Sequence, residues 1–246
     1  MLVLNKIKKF IKCNNISFKE NFKFLPYNTN SVAIIGNSSN IKNNCHGEII
    51  DKYQYVIRFN RSPTKNYEKF VGTKTNLRVV GTPEFKNIAC DIKNFETCNN
   101  AQKDNYVNFI KNLKNNNILV ITNDKINYLK KNKNKFTHHS NKIYFFNNEL
   151  NNFIRFKIIS RYNIFKKIYY YYCCPALSSG VLMTSLLILL KNKPTLFGFE
   201  IEKKNDIYNH YFANHHGKID KPYHNYKLEG NILKKLIKKK LVNYIN

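Results

Sequence analysis

The chain has 246 residues, 43% hydrophobic and 14% aromatic, enough to bury a full core within a single domain. Its 42 lysines and arginines against 15 acidic residues give a formal net charge of +27, which invites a polyanionic partner but comes with no recognised nucleic-acid motif. No run reaches the roughly 18 to 20 apolar residues of a membrane span, and the opening MLVLNKIKKFIKCNN interleaves charged and apolar residues, so neither an anchor nor a signal peptide is expected.

In chain order, Leu2 to Ile11 mixes lysine with apolar residues at near-helical spacing and predicts an amphipathic helix. Short β-branched or aromatic runs then recur at Val32 to Ile35, Tyr55 to Phe59, Leu77 to Val80, Ile118 to Thr122, Lys142 to Phe146 and Thr195 to Phe199. Most lie between polar stretches, as strands buried on both faces of a parallel sheet do. Asn105 to Leu113 and Ser178 to Leu190 are long enough for crossover helices. Asn123 to Asn141, rich in Asn and Lys, reads as a surface excursion within the one domain. The end, Ile232 to Ile245, predicts a second basic amphipathic helix. The sum is an α/β fold with a mostly parallel central sheet flanked by helices.

The spread of lysines predicts a solvated face, with an anionic membrane surface the expected specific partner and no nucleic acid. The six cysteines (Cys13, Cys45, Cys90, Cys98, Cys173 and Cys174) contain no Cys-x-x-Cys pair. The adjacent Cys173 and Cys174 are poorly placed to bridge each other, so no zinc site or disulfide framework is signalled and a reducing, cytoplasmic setting fits.

Three clusters carry chemistry. In SVAIIGNSSN (Ser31 to Asn40) a buried strand runs into Gly36, which permits a sharp turn, and then into the hydrogen-bonding Asn37 and Ser38. The pattern lacks the dinucleotide Gly-x-Gly-x-x-Gly fingerprint, and alone it also fits an ordinary turn. Further on, VIRFNRSPT (Val56 to Thr64) places Asn60 beside Arg58 and Arg61, with Pro63 expected to stop the strand, a pattern that also fits a capped turn. In the second cluster, Pro175 to Glu200, an apolar helix of about three turns starts at Ser178 or Ser179, and its free NH groups suit an anion or a carbonyl oxygen. The third, His210 to Gly230, concentrates His210, His215, His216 and His224, side chains suited to proton exchange near neutral pH; zinc ligands and plain surface histidines are the competing readings.

Taken together, these segments resemble the sialyl motifs of the animal-type sialyltransferase family. Gly36, Asn37, Ser38, Asp51, Arg58, Asn60, Arg61, Pro63, Thr64, Val71, Gly72 and Thr75 match its large motif in order. Ser178, Ser179 and Gly180 match the small motif, His210-Tyr211-Phe212 the third, and His224 with Glu229 the last. The resemblance implies a Rossmann-like glycosyltransferase fold and transfer of sialic acid from CMP-sialic acid to a glycan or glycolipid hydroxyl. It implies His224 as the general base and His210 as the donor-phosphate contact, with His215 or His216 able to take that second role. It also implies a substrate-binding set of Gly36, Asn37, Ser38, Asn60, Arg61, Ser178, Ser179, Gly180 and Glu229, the last orienting the base or the local backbone. Family members join the large and small motifs by a disulfide; here Ser31 and the Lys191-Asn192 region stand at those positions.

The chemistry is coherent. A CMP donor leaves as a phosphate monoester, so polar groups must meet negative charge growing on phosphate, while a base near its ordinary pKa takes the acceptor proton. No Asp-x-Asp triplet occurs, so neither a metal nor another cofactor is expected. The alternatives are a CMP-Kdo-dependent transferase of the same mechanism, and a nucleic-acid or anionic-surface binding module on a degenerate transferase fold.

Overall fold

The computed structural model describes residues 22–81, 116–121, 142–146, 154, 177–202, 210–212, 224 and 226–245. Seven strands, β1 (Val32–Ile35), β2 (Tyr55–Phe59), β3 (Leu77–Gly81), β4 (Asn117–Ile121), β5 (Lys142–Phe146), β6 (Thr195–Phe197) and β7 (Asn243–Ile245), form one sheet. Its order is β5-β4-β3-β2-β1-β6-β7, and every neighbouring pair is parallel. Burial explains why continuous apolar runs form these strands: all four residues of β1 are inaccessible, and alternate ones serve opposite layers.

Val32, Ile34, Ile57, Leu77 and Val79 face a layer containing α3 (Ser179–Leu189) and α4 (Tyr226–Lys238). Ala33, Ile35 and Val56 face the other, built on a 3-10 turn (Ser39–Asn43), α1 (Gly47–Asp51) and α2 (Glu68–Val71). Val181 through Leu187 are all buried, as befits a helix apolar on every side. The hydroxyls of Thr184 and Ser185 donate to Gly180 and Val181 carbonyls one turn back, so neither is left unsatisfied.

Two arginines sit in the second layer. Arg58 and Arg78 are register partners on β2 and β3, and burial lowers both guanidinium pKa values to about 10. Arg58 donates to Thr75 Oγ1 and to the carbonyls of Val71 and Lys74. Asp51 accepts from the backbone of Thr73 and Lys74; burial alone would raise its carboxyl, but these bonds outweigh it and hold the pKa below the ordinary value. Gly72, at φ +71°, passes Asp51 so closely that a Cβ would lie 2.4 Å from its Oδ1. Asp51, Arg58, Val71, Gly72 and Thr75 therefore build the scaffold behind the first motif.

Three expectations change. The run from Thr195 ends as a strand at Phe197, because Gly198 leaves it at φ +64°. The run at Tyr55 ends at Phe59 as its apolar pattern does, but the left-handed turn at Asn60 (φ +47°) stops it, where Pro63 was expected to. The last predicted helix divides: α4 stops at Lys238, and Asn243–Ile245 pairs with β6 as a seventh strand. Leu2 to Ile11, Asn105 to Leu113 and Asn123 to Asn141 lie outside the described residues, as do all cysteines except Cys45, which is exposed and free.

Candidate active site

The strand order reverses at β1, with β2 to β5 on one side and β6 and β7 on the other. Parallel sheets bind ligands in the crevice outside the carboxyl ends at such a reversal. A cleft of about 370 Å³ opens there, within the usual range for ligand sites.

The ends of β1 and β6 form its floor. Gly36 N donates to Phe197 O (2.7 Å) and Ser38 N to Gly198 O (3.1 Å), an approach that leaves no room for a side chain at Gly36. Ser38 Oγ caps the 3-10 turn by accepting from Asn40 N at 3.5 Å. Asn37 Oδ1 is buried with no partner among the described residues, and Asn37 lines the cleft. An orphaned amide oxygen there is available to a ligand hydroxyl or NH.

Asn60 reaches the same cleft from the end of β2. Its N donates to Val79 O (2.8 Å), and its Oδ1 accepts from Gly81 N (3.1 Å). From above, Ser178 caps α3, its Oγ accepting from Val181 N at 3.5 Å. Ser178 N and Oγ donate to the two carboxylate oxygens of Glu229, at 2.6 and 2.5 Å. Burial raises the Glu229 pKa, outweighing these bonds and the nearby His224. Ser179 and Gly180 complete this wall; a Cβ at Gly180 would lie 2.8 Å from the Phe199 ring.

The histidines arrive by separate routes. His210 pairs with Ser38 in an isolated antiparallel bridge, and the next residue, Tyr211, donates its N to Asn37 O (3.0 Å) and its hydroxyl to Pro63 O (2.6 Å). Tyr211 thus pins the third motif to both parts of the first. The His210 ring stacks on Phe212 with centroids 5.0 Å apart. His224, just ahead of α4, meets Tyr226 edge-on at 6.0 Å. Burial, then the Glu229 carboxylate, pushes the Tyr226 phenol up to about 12.

Ten of the eleven sequence-predicted residues line this cleft: Gly36, Asn37, Ser38, Asn60, Ser178, Ser179, Gly180, His210, His224 and Glu229. Arg61 does not, because the left-handed turn at Asn60 carries the chain into Ser62, which is buried and bonded to Arg78. His215 and His216 lie outside the described residues. Sequence reasoning missed the wall formed by Phe199, Glu200 and Tyr226. The one local signal for Phe199 is the pair of distant glycines that make room for its ring.

Among the described residues, an all-parallel sheet with a cleft at its strand-order reversal defines a Rossmann-like α/β protein. The profile of glycosyltransferase family 29 (sialyltransferase) matches residues 2–241, and the chain belongs to this family. It is 40% identical over 60 residues, 24% of its own length, to the Xenopus tropicalis beta-galactoside alpha-2,6-sialyltransferase 2. Against a human CMP-N-acetylneuraminate-beta-galactosamide-alpha-2,3-sialyltransferase 1 it is 29% identical over 100 residues, 35% of the chain. An Arabidopsis thaliana beta-1,6-galactosyltransferase is 42% identical over 52 residues, 21% of the chain. The matched stretches span 12%, 29% and 13% of those three proteins. A mammalian sialyltransferase crystal structure superposes with a TM-score of 0.53 at 15% identity, covering 98% of this chain and 84% of that one, so the fold is shared.

Proposed function

We propose that the protein is a metal-independent, inverting glycosyltransferase that moves sialic acid from CMP-sialic acid to a hydroxyl of an acceptor glycan or glycolipid. The observation that carries this reading is the convergence of three distant segments on one cleft at the strand-order reversal, bringing two imidazoles together with the Asn37 and Asn60 amides. The unpartnered Asn37 Oδ1 suits a ribose hydroxyl of the nucleotide. Asn60, the capped start of α3 and a protonated His210 supply hydrogen bonds where negative charge grows on the departing phosphate. The bond between the anomeric carbon and the phosphate oxygen breaks as the acceptor oxygen attacks from the opposite face. His224 takes the hydroxyl proton, and CMP departs. With no Asp-x-Asp triplet in the chain, these residues meet the leaving charge in this mechanism.

Glu229 serves as a positioning group, since both of its oxygens are engaged by Ser178. A fold relative was solved with Gal-beta-1-3GalNAc-ortho-nitrophenol, and a glycan of that kind is the proposed acceptor class. Exposed lysines on α4 (Lys227, Lys234, Lys235 and Lys238) support peripheral contact with an anionic bilayer from the reverse side of the helix that carries Glu229. Co-sedimentation with vesicles rich in phosphatidylglycerol, but not with pure phosphatidylcholine, is the expected result; equal recovery with both removes that contact. A cytoplasmic location completes the reading, supported by the free Cys45.

The similarity to a beta-1,6-galactosyltransferase favours a second reading in which the cleft takes a galactosyl donor. A donor screen read by mass spectrometry separates the two: CMP-sialic acid, CMP-Kdo and a galactosyl nucleotide, each with and without EDTA. Turnover of CMP-sialic acid unaffected by EDTA is expected. No turnover of any donor, together with tight, salt-sensitive nucleic-acid binding on filters, overturns the proposal.

A further inference from the structure

Arg78 has no place in the motif resemblance, yet it is among the most deeply buried side chains of the fold, 1% exposed. Its strand neighbours Leu77, Val79 and Val80 are apolar, as the core requires. A guanidinium here is disfavoured by desolvation and by the like charge of Arg58 beside it, as its lowered pKa of about 10 reflects. Packing alone would be better served by an apolar side chain, so the donors of Arg78 need a use.

One arm of the guanidinium meets the Asn60 turn, while Nε is buried with no hydrogen-bond partner among the described residues. Nη1 donates to Asn60 O at 2.8 Å, to Ser62 O at 3.0 Å and to Ser62 Oγ at 3.3 Å. Asn60 sits at φ +47°, a left-handed conformation that a non-glycine residue holds at a cost and that its surroundings must enforce. The other anchors of Asn60 also lie on β3: its N donates to Val79 O, and its Oδ1 accepts from Gly81 N. With Oδ1 so engaged, the amide NH2 is the part of the side chain left to meet a ligand in the cleft that Asn60 lines.

We propose that Arg78 is a positioning residue: by binding the carbonyls of Asn60 and Ser62 it locks the left-handed turn that presents the Asn60 amide to the donor nucleotide. The inference rests on the transferase reading above. Arg78 does not touch the substrate and acts through Asn60. Arg58 is an internal control, equally buried and in register one strand away, but bonded to the Val71 to Thr75 loop instead.

The test is a double-mutant cycle on CMP affinity, measured by calorimetry on the parent, Arg78→Lys, Asn60→Ala and the double variant. Arg78→Lys keeps charge and length but loses the planar fork, and it is expected to weaken CMP about tenfold, with Arg58→Lys within about twofold of the parent. Because Arg78 works through Asn60, the double variant is expected to bind no more weakly than Asn60→Ala alone. Additive losses, or equal losses from Arg58→Lys and Arg78→Lys, overturn the proposal. Arg78→Met, which keeps volume without donors, repeats the cycle if the lysine variant does not fold. A nucleotide-free arm separates this inference from the transferase reading: the backbone chemical shifts of Asn60, read by NMR, are expected to leave their left-handed values in Arg78→Lys. Unmoved shifts overturn the positioning role, whereas a parent that binds no CMP while its variant's shifts move overturns only the transferase reading.

Discussion

Replacing Gly36 by alanine strikes the point where β1 and β6 come together. The new Cβ would lie 2.3 Å from Gly198 O, 2.9 Å from Gly198 C and 3.0 Å from the Phe199 ring. Two of these neighbours are backbone, so a rotamer change cannot relieve the contact. Restoring an ordinary separation of about 3.4 Å moves the two chains roughly 1 Å apart, which stretches the 2.7 Å bond from Gly36 N to Phe197 O beyond hydrogen-bonding range. Overpacking costs about 1 to 3 kcal/mol and the lost bond about 0.5 to 1.5, for a total near 2 to 4 kcal/mol. For a chain of this size that lowers Tm by roughly 5 to 15 °C. The same displacement moves Asn37 and Ser38 away from β6, so CMP affinity is expected to fall with stability. Scanning calorimetry and CMP titration read the two effects. A variant within about 1 °C of the parent that still binds CMP normally would refute the tight β1–β6 floor as the basis of the cleft.

His224→Ala is expected to slow transfer about 10²- to 10⁴-fold while CMP affinity stays within about twofold, because a general base acts on the acceptor; parental turnover would rule out that role. Glu229→Gln probes the buried carboxyl through pH. Burial holds this pKa above the ordinary glutamate value, so the stability the protonated group contributes is complete below about pH 4.3 and is lost as pH rises through the folded value. Glutamine does not titrate, so urea unfolding should show the stability difference, variant minus parent, growing in favour of glutamine across that window; a pH-independent difference contradicts it. Tyr211→Phe removes the 2.6 Å bond to Pro63 O and is expected to cost about 1 kcal/mol, or roughly 2 to 4 °C in Tm; an unchanged Tm would mean that the bond contributes nothing net.

The strands were legible where a short apolar run stood alone between polar residues: β1, β2 and β5 begin and end where VAII, YVIRF and KIYFF do. β7 was not, because the three residues of NYI follow a lysine-rich helical pattern and become a strand only by pairing with β6. Gly198 misled in the same way, its positive φ being imposed by the close passage of Gly36. In the site, motif spacing identified residues on the two loops, α3 and the third cluster, but it could not tell which side of the Asn60 turn faces the cleft, and Arg61 falls outside its lining. Phe199 and Tyr226 escaped notice because an aromatic residue carries no mark of lining a site until the glycines and helices around it are placed. Arg78 did carry a mark, a charge within an otherwise apolar strand, and that mark belongs to the scaffold behind Asn60.

The same economy of polar bonds holds the start of the described chain to the end of α3, the two regions that the family resemblance joins by a disulfide. Asn192, 4% exposed, accepts from Thr29 N at 3.0 Å and donates to Pro26 O at 2.7 Å. Lys193 N donates to Thr29 O and Asn28 N to Leu190 O, while Ser31 Oγ accepts from Gln54 N. A disulfide closing so long a loop contributes about 2 to 4 kcal/mol through the unfolded state, and four hydrogen bonds at about 0.5 to 1.5 kcal/mol each reach the same range through the folded one. The two solutions differ in what they respond to. A disulfide fails under reduction, whereas the Asn192 clamp is indifferent to redox conditions and depends on its own burial. It can therefore hold β1 beside β6, and with them the floor of the cleft, without an oxidising environment.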